Sequence, residues 1–194
     1  MICLHVFFFL VAIFASAPSS EITDQAVQSS PEHARLSAMT GTWDVDLTFW
    51  LRPGVPGVTS KGVSTIQPLF GGLFIEEKIE GTVNGTPFTT LAWTGFNTVT
   101  HRYEATRIAS TNTIRIVETG AYDETAKQFE LKAEYPLGGD TWHQRTVIQP
   151  TTADTMTAAS YLSFGTVPEW KSVEIKYTRR TSSHDRRQSS PLRL

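Results

Sequence analysis

From Gly41 to Thr178 apolar and polar side chains alternate in short runs, and turn residues punctuate them. Alternation with a period of two is the signature of strands half-buried on one face. Trp43, Val45, Leu47, Phe49 and Leu51 fall on one face of the first run, Asp44, Asp46 and Thr48 on the other. Leu73, Ile75 and Ile79 alternate with Glu76, Lys78 and Glu80, and Asn84-Gly85 then supplies two residues that tolerate the positive φ of a tight hairpin turn. Further runs lie near 60–67, 86–94, 102–108, 113–120, 128–135, 142–149, 155–164 and 170–178. That makes about ten strands at short spacing. No long helical pattern lies among them, so parallel crossovers are not expected and the strands read as an antiparallel meander. About ten strands of this kind close into a barrel, which removes exposed sheet edges; a sandwich is the other way to bury them. Ser30-Pro31-Glu32-His33 opens one short helix ahead of the strands, with a capping residue followed by proline at the first helical position. That helix followed by Gly41-Thr42-Trp43 favours the barrel, because a Trp at the start of the first strand can plug one end. The predicted fold is an all-β, closed antiparallel meander barrel of about ten strands with a short N-terminal helix, its lumen wide enough for one small ligand.

The two ends differ from this body. The first 20 residues contain no Asp, Glu, Lys or Arg, and the run from Leu4 to Ala17 is nearly all apolar. At about 1.5 Å per residue it is short for a ~30 Å hydrocarbon layer, and small residues follow it. The pattern predicts a secretory signal over 1–20, cut between Ala17 and Ser20, and therefore an exported (periplasmic or secreted) protein without a stable membrane span. The cut removes Cys3, the one cysteine. Residues 21–30 read as a linker and 31–180 as the barrel. Residues 181–194 read as a disordered basic tail, since the stretch from Arg179 holds five of the 17 Lys and Arg and almost nothing apolar. A formal net charge of −2 argues against a nucleic-acid partner.

Several stretches, in a shared order, resemble the domain of unknown function 1579 family of bacterial lipocalin-like proteins. They are Pro31-Glu32-His33 with Leu36, Gly41-Thr42-Trp43-Asp44-Val45, Trp50 with Pro53-Gly54, and Gly71-Gly72-Leu73-Phe74 with Glu76-Glu77. Gly85-Thr86-Pro87-Phe88, Thr94-Gly95-Phe96-Asn97 with Tyr103, Tyr122-Asp123, Glu134-Tyr135 and Arg145 continue it. Glu169-Trp170-Lys171 and Glu174-Ile175-Lys176-Tyr177-Thr178-Arg179 end it. The resemblance implies a calycin-like barrel over roughly Pro31 to Arg180 and no established activity. The chain departs from the family pattern at Phe96-Asn97-Thr98, near Arg107 and near Ala159.

Within this frame Gly41, Trp43 and a late-strand arginine form the expected barrel plug, with Arg179 or Arg145 packed across the Trp ring. Glu77 shares the face of Ile75 and Ile79, which would bury a carboxylate and require a partner; Arg107, Arg115 and Arg145 are the candidates. The candidate ligand-binding set is Glu77, Phe88, Trp93, Tyr103, Arg107, Leu131, His143, Arg145 and Tyr161: apolar and aromatic walls, with charged groups placed to orient a carboxylate or carbonyl. No catalytic residue is assigned. His33, His101 and His143 lack the spacing of a zinc site, so no metal is expected. Nitrobindin-like calycins hold haem through a histidine, which makes haem at His143 an alternative to the absence of any cofactor, although no motif matches that haem site. The expected partner is a small hydrophobic molecule; the sequence does not fix the oligomeric state. Two other functions compete: an isomerase or hydrolase using Glu77, His143 or Tyr161 as acid or base, and a protein-interaction barrel with a filled lumen.

Overall fold

The computed structural model describes residues 29–181. The predicted signal, most of the linker and the basic tail lie outside the described residues. Helix α1 (Pro31–Ser37) precedes ten strands: β1 (Gly41–Phe49), β2 (Val58–Leu69), β3 (Phe74–Val83), β4 (Thr86–Asn97), β5 (Arg102–Ala109), β6 (Ile116–Asp123), β7 (Gln128–Leu137), β8 (Asp140–Pro150), β9 (Thr155–Phe164) and β10 (Val167–Arg179). Each strand pairs antiparallel with its neighbours in sequence, and β1 pairs with β10 to close the barrel. The architecture is the all-β meander barrel that the alternation predicts.

The local chemistry explains most boundaries. Ser30 caps α1, and its backbone N–H donates to His33 Nδ1 at 3.0 Å, which closes a capping box. The turn between β3 and β4 places Asn84 and Gly85 at φ of 50° and 79°. Strand β6 begins at Ile116 rather than near Thr113, because Asn112 Oδ1 accepts from the N–H of Ile114 at 2.9 Å and holds that stretch as a loop. Leu51 does not continue the inward face of β1. The strand ends at Phe49, and Leu51 is 83% exposed in the following loop.

Side chains at 43, 45, 47 and 49 of β1 point inward, and the register carries that parity around the wall. At β6 the wall tightens: a Cβ at Gly120 would collide with the carbonyl of Glu130, so only glycine permits this strand approach. One end of the barrel is closed by α1 and the turn that follows it, which set Leu36 and Met39 into the core. Trp43 is buried there, with its indole N–H donating to the carbonyl of Met39 at 3.1 Å. The guanidinium of Arg179, not that of Arg145, stacks over the Trp43 ring at 4.0 Å. It also donates to the carbonyls of Thr40 at 2.7 Å, Ala38 at 3.3 Å and Ala153 at 2.8 Å, tying the helix to the end of β10. Gly41 leaves room for it: a Cβ there would strike Arg179 Nη1.

Candidate functional site

Seven strands turn a polar side chain into the middle of the lumen. Ser64 comes from β2, Glu77 from β3, Arg107 from β5, Glu118 from β6, Gln144 and Thr146 from β8, Ser160 from β9 and Tyr177 from β10. Their contacts order them. Glu77 Oε1 accepts from Ser64 Oγ at 2.8 Å and from the Tyr177 hydroxyl at 3.0 Å. Glu118 Oε1 accepts from Gln144 Nε2 at 3.1 Å and from Thr146 Oγ1. Thr146 in turn lies 3.2 Å from Ser160 Oγ, and the Tyr135 hydroxyl donates to Gln144 Oε1 at 3.3 Å.

Arg107 sits between the two carboxylates. Its Nη1 is 3.9 Å from Glu77 Oε2 and its Nη2 is 3.6 Å from Glu118 Oε2. Both are ionic contacts beyond hydrogen-bond length. Glu118 is fully buried, at 0% exposure, and its Oε2 has no hydrogen-bond partner among the described residues. Burial opposes the Arg107 charge, but Glu118 and then Glu77 outweigh it and hold the guanidinium above its ordinary pKa. Burial first, and the facing Glu77 charge second, push the Tyr177 hydroxyl well above its usual pKa, so it remains a donor at neutral pH. The floor thus sets two carboxyl groups against one guanidinium.

Above this floor, toward the end away from α1, lies a cavity of about 130 Å³. Its walls are Leu47, Phe49, Ile79, Phe88, Ile148, Ala158, Val173 and Ile175, and its polar border is Glu77, Thr90, Arg107, Thr146, Ser160 and Tyr177. Phe49 and Phe88 meet edge to face at 5.9 Å in this wall. A smaller void of about 30 Å³ lies on the helix side of Glu77, Arg107 and Tyr177, bounded by Leu36, Met39 and Leu131 among others. That is room for about one water molecule.

The structure divides the sequence-predicted set. Glu77, Phe88 and Arg107 border the larger cavity, and Leu131 the smaller void. Tyr103 is inside but belongs to the plugged end, where its hydroxyl donates to the carbonyl of Glu32 at 3.2 Å and its ring packs on Phe129. Trp93, His143, Arg145 and Tyr161 are corrections: their strand positions put them on the outer wall. The Trp93 indole N–H donates to Glu76 Oε2 at 2.8 Å. His143 Nδ1 lies 3.0 Å from Glu134 Oε1. Arg145 makes two hydrogen bonds to Glu169, at 3.0 and 2.7 Å, and its guanidinium covers the Tyr161 ring at 4.1 Å. The partner of Glu77 is therefore Arg107, not Arg145, and neither His143 nor Tyr161 can act on a guest in the lumen.

None of the three histidines among the described residues borders the cavity. His33 is spent on the helix cap, His101 sits in the exposed turn after β4, and His143 faces outward. A haem ligand at His143 would face solvent rather than the lumen. Among the described residues no group of three or more His, Cys, Asp or Glu side chains is placed to hold a metal ion, and no helix is long and apolar enough to cross a membrane. Sequence reasoning missed Glu118, Ser64, Gln144, Thr146, Ser160 and Tyr177 as lumen residues. A signal existed for Glu118, which shares its face with Ile116 and Tyr122 and is therefore an acid on the side that the larger side chains bury.

Comparisons with known proteins agree with this architecture. A family model described as "Protein of unknown function (DUF1579)" matches residues 28–179. No curated protein matches the chain. Two solved structures share the fold. Rv2717c from M. tuberculosis superposes with a TM-score of 0.58 at 14% identity, over 79% of this chain and 100% of that one. The S-type phycobiliprotein lyase CPES from Guillardia theta superposes with a TM-score of 0.53 at 12% identity, over 77% and 93%. At such identities the likeness is one of fold.

Proposed function

The chain belongs to the DUF1579 family, whose description carries no activity, and we propose that it is an exported barrel whose lumen binds one small, largely apolar molecule with a polar end. The observation that carries this reading is the cavity of about 130 Å³, apolar on its walls and bordered on one side by Glu77, Arg107, Thr146, Ser160 and Tyr177. A filled interaction barrel has no need of such a space, because an interior void forfeits packing and hydrophobic free energy. The volume sets the size of the guest. An apolar cavity of about 150 Å³ admits benzene, so the body of this ligand is one ring or a short branched chain. A fatty acid would require the Phe49–Phe88 wall to move.

Thermal denaturation with a panel of ring-sized compounds (toluene, phenol, indole) tests this. A guest bound only by the native state at about a hundredfold excess over its Kd adds about 2.7 kcal/mol, which raises Tm by about 5 °C or more in a domain of this size. Melting is the better readout, since none of the tryptophans borders the cavity. A panel that leaves Tm unchanged at every concentration contradicts lumen binding and favours the interaction barrel.

Export rests on the uncharged apolar start and the small residues behind it. The mature protein is expected to begin between Pro18 and Glu21. Intact-mass measurement of protein recovered outside the cytoplasm checks this; a species there retaining Met1 to Phe14 contradicts it.

A further inference from the structure

We infer that the lumen selects a guest whose polar end is a cationic N–H donor, an ammonium or amidinium, over one ending in a carboxylate. This rests on the lumen-binding reading and names the ligand class for that site. It also reverses the expectation from sequence, in which Glu77, Arg107 and Arg145 together present more positive than negative charge to the guest.

Two placements cause the reversal. Arg145 is outside the barrel, held by Glu169, so its charge is spent on the outer wall. Glu118 is inside, 3.6 Å from Arg107, and draws on the only cationic side chain that borders the cavity among the described residues. An incoming carboxylate would have to share Arg107 with two carboxylates already facing it, in a site where water screens little. A cation meets the opposite situation. Glu77 Oε1 is saturated by Ser64 and Tyr177, but Oε2 accepts no hydrogen bond among the described residues and has only Arg107 Nη1, at 3.9 Å, as an ionic neighbour. Glu77 borders the cavity together with Ser160; the Thr146 hydroxyl is used up by Glu118, Gln144 and Ser160, whereas the Ser160 hydroxyl, donating to Thr146, keeps lone pairs for a further N–H group. A guest ammonium in contact with Glu77 gives the two carboxyl groups of the floor a second cationic partner.

Calorimetric titration of the full chain with four probes of one shape tests this: toluene, benzyl alcohol, benzylammonium and benzoate. Benzylammonium is expected to bind at least about tenfold more tightly than benzyl alcohol, with benzoate the weakest, because a charge contact of about 4 Å in a partly desolvated site outweighs a neutral hydrogen bond. In the Glu77→Gln variant the benzylammonium advantage should largely vanish while toluene still binds. If that variant does not fold, the wild-type ranking decides alone. Toluene and benzyl alcohol binding with no preference for benzylammonium overturns the charge inference and leaves the lumen reading standing, as does benzoate binding best. Binding by none of the four overturns both.

Discussion

Replacing Trp43 by alanine should cost about 3–5 kcal/mol of stability, the usual range for emptying a buried large aromatic site. The side chain is 2% exposed and fills the end of the barrel between α1 and Tyr177, whose ring meets it edge-on at 6.2 Å. The substitution removes this volume, the hydrogen bond to Met39 and the face on which Arg179 rests. Arg179 keeps its bonds to the carbonyls of Thr40, Ala38 and Ala153, so the helix remains tethered and the loss reports the missing ring itself. Denaturant titration measures it as a lower midpoint at unchanged slope. A midpoint equal to that of the wild type would mean that the ring does not close the barrel.

The second large effect is expected at Arg107. Changing it to methionine keeps much of the volume and removes the charge that faces both Glu77 and Glu118. Breaking a buried ionic arrangement by deleting one partner costs about 3–5 kcal/mol, because the remaining charge is left buried without compensation. Arg107 retains 20% exposure, which places the expected loss near the lower end, about 3 kcal/mol. Adding Glu118→Gln removes the more deeply buried of the two carboxyl groups left without a cation, so the double variant should recover part of the loss. Denaturant midpoints of the two single variants and the double variant form the cycle. A double variant whose loss equals the sum of the singles would show that Arg107 and Glu118 are not coupled.

The barrel is legible in the sequence because most strands bury a consistently apolar face: Trp43, Val45 and Leu47 in β1, Ile75 and Ile79 in β3. Alternation then fixes the facing, and the same parity places Glu77 inside as a carboxylate in need of a cation. The readings fail at Trp93 of β4, which faces outward on Glu76, and on β8 and β9, where the rule inverts. The inward positions of β8 from Gln144 onward are Gln144, Thr146 and Ile148, and those of β9 include Ser160; the outward ones are His143, Arg145 and Tyr161. The sequence reading places Tyr161, His143 and Arg145 in the lumen instead. The polar set is stable inside because Glu118 accepts from Gln144 and Thr146, and Tyr161 is stable outside because Arg145 lies across its ring. Both compensations come from residues distant in sequence, so no local pattern announces them. The consequence is chemical: with Arg145 outside and Glu118 inside, a guest meets two carboxyl groups and one guanidinium instead of one carboxyl group and two guanidiniums.

Methyl-resolved NMR during titration with toluene tests the central claim, that a small apolar molecule enters this lumen, most directly. Leu47, Ile79, Ile148, Val173 and Ile175 line the cavity, whereas Ile108 and Val117 lie exposed on the outer wall. Saturable shifts concentrated on the five lining residues, with Ile108 and Val117 unmoved, are the predicted result. Lining methyls that stay unmoved up to the solubility of toluene, or shifts confined to Ile108 and Val117, would contradict it.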